Sequence, residues 1–203
     1  MKNARFYISK VAFCQHKDSK LDFIPMLLRR KLSNLDKLSF SSIREVYDEN
    51  FDEFVFSSQY GEWERLFSII EQYKTANEVS PIAFSASVHN YIAGILSLVK
   101  NSNSPYYAIS AGENSFSSGL IKSVISKKKV LYCYADNFEK EQCISLIISS
   151  QYEEGSICVD FVKDVSSLHS EEQHKEFEEF EHFIKGKNNV FKTKVGEFHL
   201  TDD

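Results

Sequence analysis

The chain has 203 residues, 42% of them hydrophobic, and a formal net charge of −5. That is enough apolar material for one domain with a real core, and the negative balance argues against non-specific nucleic-acid binding. No stretch approaches the roughly 18 apolar residues of a membrane span, and residues 1–14 hold no apolar run of the signal-peptide kind. Cys14, Cys133, Cys143 and Cys158 form no CxxC pair. The expectation is a cytoplasmic protein with reduced thiols, no metal site and no cofactor.

In chain order, residues 3–14 predict a strand with apolar positions Phe6, Ile8, Val11 and Phe13. A helical stretch follows from about Phe23 through Leu38 to Tyr47, carrying the basic cluster Arg29, Arg30 and Lys31. Phe54 to Phe56 predict a short buried strand. Trp63, Leu66, Phe67, Ile70 and Tyr73 recur at helical spacing and predict an amphipathic helix. Residues 84–100 predict a helix apolar nearly all round, hence buried on all sides, with Ala86, Ala93, Gly94 and Ser97 letting another backbone come close. Tyr106 to Ser110 predict a strand, Phe116 to Ile125 a helix, and Val130 to Tyr134 a strand. Cys143 to Ser149 and Ile157 to Val162 predict a hairpin around Gly155. Ser170 and Gln173 suggest a capping box for a last helix with Phe177, Phe180 and Ile184 on one face and Gly186 at its end. This order predicts an α/β fold with a mixed sheet flanked by helices, in a single domain spanning 1–203 whose residues 165–203 form a charged terminal helix and tail.

The remaining chemistry-bearing residues have plain readings. Cys133, Cys143 and Cys158 fall in predicted strands and Cys14 at a strand end, as small buried hydrophobes. His169, His174, His182 and His199 lie on or near the terminal helix and are expected in solvent. The acidic run Glu171 to Glu181 is expected as a solvated helix face. His89 is expected to be satisfied by a backbone carbonyl or by a partner. Arg29, Arg30 and Lys31 suit an acidic partner or ordinary surface salt bridges.

The run from Ser80-Pro81 through Asn90, Ala93 and Gly94 resembles the β-ketoacyl synthases, which carry Ser-Pro before a helix with Asn-x-x-Ala-Gly. Ser104-Pro105 followed by Tyr106 to Ser110 resembles the pair and short strand leading into that family's nucleophile turn. Phe54 to Glu62 and Val130 to Asp136 fit the strands on either side. The resemblance covers roughly residues 1–160 and is strongest from 53 to 136. Arg29-Arg30 and the turn Ser110-Ala111-Gly112-Glu113 are similar to a subgroup of short ketosynthase-like proteins of bacterial aryl polyene pathways. The resemblance implies half of a thiolase-like fold.

It also implies a missing catalytic centre. The family turn reads Thr-Ala-Cys; here Gly112 or Glu113 stands at the cysteine position, depending on the register, and neither is a thiol. The family's catalytic histidines belong to the second half of the fold, beyond what this chain matches. The implied role is a non-catalytic chain-length factor, paired with a complete β-ketoacyl synthase and meeting acyl carrier protein indirectly, in polyene or polyketide biosynthesis. The implied partner interface comprises His89, Asn90, Ala93, Gly94, Ser97, Tyr106, Tyr107, Ala108, Ile109 and Ser110. The implied end of the partner's acyl tunnel comprises Ile82, Ala83, Phe84, Ser87 and Tyr91. Three alternatives remain: an acyltransferase or decarboxylase using Glu113 or a cysteine, a carrier-protein scaffold using Arg29, Arg30 and Lys31, and a homodimer.

Overall fold

A computed structural model of the chain describes residues 4–13, 21–47, 50–163 and 175–201. Its eight strands are β1 (Ala4–Phe13), β2 (Glu53–Ser57), β3 (Tyr106–Ile109), β4 (Val130–Asp136), β5 (Gln142–Ser149), β6 (Ile157–Val162), β7 (Val190–Thr193) and β8 (Gly196–Leu200). They form one mixed sheet in the order β3-β2-β4-β5-β1-β6-β8-β7. β2 runs parallel to β3 and β4, and the pairings of β5, β1, β6, β8 and β7 are antiparallel.

Side chains alternate across a strand, so each central strand supplies two cores. Phe54, Phe56, Leu131, Cys133 and Ala135 face α2 (Asn34–Glu45) and α5 (Tyr91–Lys100), together with Leu38, Phe40, Ile92 and Leu96. Val55, Val130, Tyr132 and Tyr134 face α6 (Ser115–Ile125) and α7 (Glu176–Ile184), together with Phe116, Leu120, Phe180 and Phe183. β4 is buried at all seven positions, which is why Val130 to Asp136 reads as an apolar run rather than an alternating one.

Several elements depart from expectation. The stretch from Phe23 to Tyr47 is two helices, α1 (Met26–Arg29) and α2. Ser33 separates them: its Oγ accepts from the Asp36 N–H at 2.9 Å, while the Asp36 carboxylate accepts from the Ser33 N–H at 2.8 Å. Residues 84–100 likewise divide, into α4 (Pro81–Ala86) and α5. Ser85 and Ser87 return hydroxyl bonds to the carbonyls of Ile82 and Phe84, a local competition that ends a short helix. Nor is this region buried on all sides, since Ile82, Phe84, Val88 and Leu98 are exposed.

The amphipathic helix forms as α3 (Trp63–Ala76), but its apolar face is turned outward: Leu66, Phe67, Ile70 and Tyr73 are exposed and only Ile69 is buried. The expected hairpin of β5 and β6 is also absent. A turn does form at Gly155, whose φ is +79°, yet β1 lies between the two strands and pairs with both. Residues beyond α7 are not a plain tail: β7 and β8 form a hairpin that extends the sheet from β6. Ser170 and Gln173 lie outside the described residues; α7 starts after Lys175 without a side-chain cap.

Candidate functional site

The turn between β3 and α6 is held by one serine. Ser115 Oγ accepts from the Ala111 N–H at 2.9 Å and donates to the Gly112 carbonyl at 2.6 Å. Gly112 sits at φ +59°, a left-handed conformation that suits glycine. Ala111, Gly112 and Glu113 are exposed, and Ser110 Oγ donates to the Gln59 carbonyl at 3.2 Å.

The start of α6 is already occupied. The Ser117 N–H and hydroxyl both donate to the Glu176 carboxylate, at 3.1 and 2.7 Å. Glu176, expected in solvent with the rest of the acidic run, is buried at the start of α7. Glu113, Phe116 and Glu176 line one cavity of about 420 Å³ with Tyr60, Asp136 and Lys140. Asp136 holds the wall of this cavity: it accepts from Ser58 Oγ, the Gln59 N–H and the Tyr60 N–H at 2.8, 2.8 and 3.0 Å. Burial and the neighbouring Asp136 raise the Tyr134 phenol, so it stays protonated.

β3 is an edge strand. The N–H of Phe54 reaches the Pro105 carbonyl and that of Ser58 the Ile109 carbonyl, so odd-numbered residues of β3 face β2. Alternation then turns the N–H and C=O of Tyr106 and Ala108 toward the open side. Tyr106 and Tyr107 are exposed, and Lys122 Nζ lies 3.7 Å from the Tyr107 ring centre. His89, in the turn between α4 and α5, bonds the Ile109 carbonyl through Nε2 at 2.9 Å, so the carbonyl partner expected for it is present. Of the small residues on α5, Ala93 is buried in the chain's own core, whereas Gly94 has no atom within 4 Å of where a Cβ would stand. Asn90 is exposed and Ser97 half-buried.

Ile82 and Phe84 are exposed at the surface of α4, with Ala83 and Ser87 half-buried. Phe84 and Pro81 join Ile69, Ile70, Tyr73 and Val79 in an apolar groove of about 490 Å³ between α3 and α4. Tyr91 does not line this groove, and the Arg65 guanidinium lies 5.2 Å from its ring centre. Arg65 also binds Glu62 at 2.7 Å, Asp36 at 2.8 Å and the Lys31 carbonyl at 2.6 Å. Burial, then the Asp36 charge, pushes the Glu62 carboxyl up to about 8 against the pull of Arg65. Of the basic cluster, Arg29 pairs with Asp22 at 2.9 Å, and Arg30 and Lys31 are exposed.

Cys133, Cys143 and Cys158 are buried in β4, β5 and β6, away from the turn. Cys14, His169 and His174 lie outside the described residues; His182 is exposed, and His199 lies 3.2 Å from Glu197. Among the described residues no group of three or more His, Cys, Asp or Glu side chains is placed to hold a metal ion, and no helix is long and apolar enough to cross a membrane.

The sequence profile of the family described as Beta-ketoacyl synthase, N-terminal domain, matches residues 8–143. The chain belongs to that family. A search of curated protein sequences finds no match. Among solved structures, this β-ketoacyl synthase N-terminal domain is similar to a chain of the Xenorhabdus doucetiae complex of the ketosynthase ApeO with its chain length factor ApeC. The TM-score is 0.75 and the identity 19%, over 97% of this chain and 99% of that one. It is also similar to a chain of AntDE:AntF, a type II PKS acyl-carrier protein in complex with its ketosynthase bound to the hexaketide. There the TM-score is 0.62 and the identity 10%, over 82% of this chain and 71% of that one. The mixed sheet flanked by helices is thus a thiolase-like fold.

Two features escaped sequence reading. Glu176 lay inside a charge run that gives no sign of which member turns inward. The Asp36–Glu62–Arg65 cluster joins the starts of α2 and α3; the Ser33-to-Asp36 spacing, that of a capping box, is the one signal that could have found part of it.

Proposed function

We propose that the chain is a non-catalytic partner of a complete β-ketoacyl synthase. It serves as a chain-length factor that completes the partner's dimer and closes the end of its acyl tunnel in polyene or polyketide synthesis. The observation that carries this reading is the open edge of β3. Its outward backbone groups at Tyr106 and Ala108 lie beside exposed aromatic rings, as pairing with another strand requires. The outward apolar faces of α3 and α4 support it, because contiguous apolar surface of this kind marks interfaces. The turn from Ser110 to Ser115 carries no thiol, which agrees with chemistry residing in the partner. The likeness to a complex of a ketosynthase with its chain length factor, over almost the full length of both chains, favours this role. Acyl carrier protein is then met through the ketosynthase, and Arg29, Arg30 and Lys31 are candidates for that contact.

Co-expression with a complete β-ketoacyl synthase of the same organism, followed by size-exclusion chromatography with mass analysis and a condensation assay, tests the reading. A one-to-one complex that elongates chains, beside a single chain that does not, is the expected result. Ala108→Pro removes an outward N–H while leaving the pairing with β2 intact, and should abolish the complex without unfolding the chain. A ketosynthase that elongates equally well without this chain overturns the proposal. Ile82, Ala83, Phe84, Ser87 and Tyr91 are the proposed tunnel end. Phe84→Ala should lengthen the product and Ala83→Leu shorten it, at about 1–3 kcal/mol of discrimination per methylene.

A further inference from the structure

Helix α3 is held at one end. Of its 14 residues only Ile69 is buried, whereas its entry is fastened by polar side chains. The Asn34 amide donates to Glu64 at 2.9 Å, and the Trp63 ring N–H to Asn137 at 3.1 Å. At the centre of this clasp one guanidinium serves two carboxyls: Arg65 reaches Asp36 Oδ2 at 2.8 Å and Glu62 Oε2 at 2.7 Å. Asp36 is 0% and Glu62 6% exposed, and the Ser33 hydroxyl lies 2.9 Å from Glu62 Oε1. Asp36 Oδ1 is buried with no hydrogen-bond partner among the described residues. One cation does not neutralise two carboxylates in such a place, so a proton completes the set. Asp36 Oδ2 already accepts from the Ser33 N–H and from Arg65, which leaves the proton to Glu62. Burial and then the Asp36 charge act on Glu62 in that same direction.

We propose that this clasp is a pH-operated hinge: the proton held between Asp36 and Glu62 keeps α3 seated, and its loss releases α3 while the sheet stays folded. Without the proton, two buried anions face one cation, and carrying Glu62 into water relieves them. Release uncovers little, because Ile69 is the one buried side chain that leaves with the helix. It also reshapes the apolar groove, since α3 supplies Ile69, Ile70 and Tyr73 to its wall. The other titratable and charged groups facing Glu62 are Asp36 from α2, Arg65 from α3 itself and Tyr91 from α5. Arg65 stays charged, and burial and then the Asp36 charge raise the Tyr91 phenol, so it stays neutral. The hinge belongs to the chain by itself and stands or falls separately from pairing with a ketosynthase.

Amide hydrogen exchange of the full chain between pH 6 and 9, corrected for the intrinsic rate, tests the hinge, with β4 as the internal reference. Trp63 is the chain's one tryptophan, so acrylamide quenching of its emission reads the same opening. The Glu62 carboxyl is pushed up to about 8 when α3 is seated, against 4.5 when free. Opening should therefore grow as pH rises towards 8 and level off above it. Amides of residues 67–76 should lose protection about tenfold between pH 6 and 8, and exchange faster than those of β4 throughout. Trp63 should become more quenchable over the same range. Glu62→Gln keeps an acceptor for Arg65 without a titrating proton, so its profile should be flat. A flat wild-type profile from pH 6 to 8 overturns the proposal, as do α3 amides that exchange no faster than those of β4. A slope that persists in Glu62→Gln overturns it too. The first two results are read on the wild type and stand even if the variant does not fold.

Discussion

Gly119 shows how a residue's local preference is overruled by its neighbours. It lies in the interior of α6, where alanine is favoured over glycine by about 1 kcal/mol. A Cβ there would stand 2.5 Å from Tyr132 Cε2 and 2.6 Å from Ser57 Oγ. Neither can retreat: the Tyr132 hydroxyl is bonded to Ser57 Oγ at 2.8 Å and donates to the Phe116 carbonyl at 2.6 Å, all of it buried. Gly119→Ala should therefore destabilise the protein, by about 1–2 kcal/mol after the helix gain is subtracted, and lower the urea midpoint. Gly61 is constrained in another way, by a φ of +56° and by the His89 ring 2.7 Å from where a Cβ would be. The residue identities are plain in the sequence, but their reasons are partners some 13 to 62 positions away.

Helices were readable as periodicity but not as orientation. The spacing of Trp63, Leu66, Phe67, Ile70 and Tyr73 correctly marks α3 as amphipathic, yet amphipathicity alone does not say whether the apolar face meets this chain or another. What ties α3 to the body is charge. Arg65 in its first turn binds both Glu62, which precedes the helix, and Asp36 at the start of α2. Removing the cation, as in Arg65→Met, leaves the buried Asp36 carboxylate beside Glu62 without its guanidinium and should cost about 3 kcal/mol. The same cluster gives a pH dependence with a definite sign. The folded Glu62 carboxyl lies near 8 against an unfolded value of 4.5, so folding retains its proton between them. Its contribution is fully present below pH 4.5 and is lost as pH rises through about 8. Urea midpoints at pH 6 and 9 should differ more for the wild type than for Glu62→Gln, in which this contribution is absent.

At the scale of the whole molecule, fold class was legible and strand order was not. Alternating and continuous apolar runs mark β1 to β6 correctly, and the alternation of strands with helices predicts the mixed sheet. Pairing between β1 and β5 links residues more than a hundred positions apart, and periodicity within a strand carries no information about that. The hairpin of β7 and β8 was missed because its strands have only four and five residues and charged positions interleaved with Phe191 and Phe198. The candidate site was legible as a turn without a thiol that follows a short strand, but not as a turn at the sheet's edge with α7 docked against the helix after it. The surface has a further consequence at this scale: without a partner, the outward face of α3 should promote self-association. Phe67→Glu with Tyr73→Lys should reduce light scattering of the isolated chain while changing its stability by no more than about 0.5 kcal/mol.

The place of β1 bears on how the protein is made. It leaves the ribosome well before the strands it stands between, β5 and β6, which emerge more than a hundred residues later. Neither of its ladder partners exists in the interval, so the burial of Phe6 and Ile8 awaits residues more than a hundred positions on. The sheet therefore cannot be built strand by strand in chain order; an early segment must be seated between two later ones, a slow closure of the high-contact-order kind.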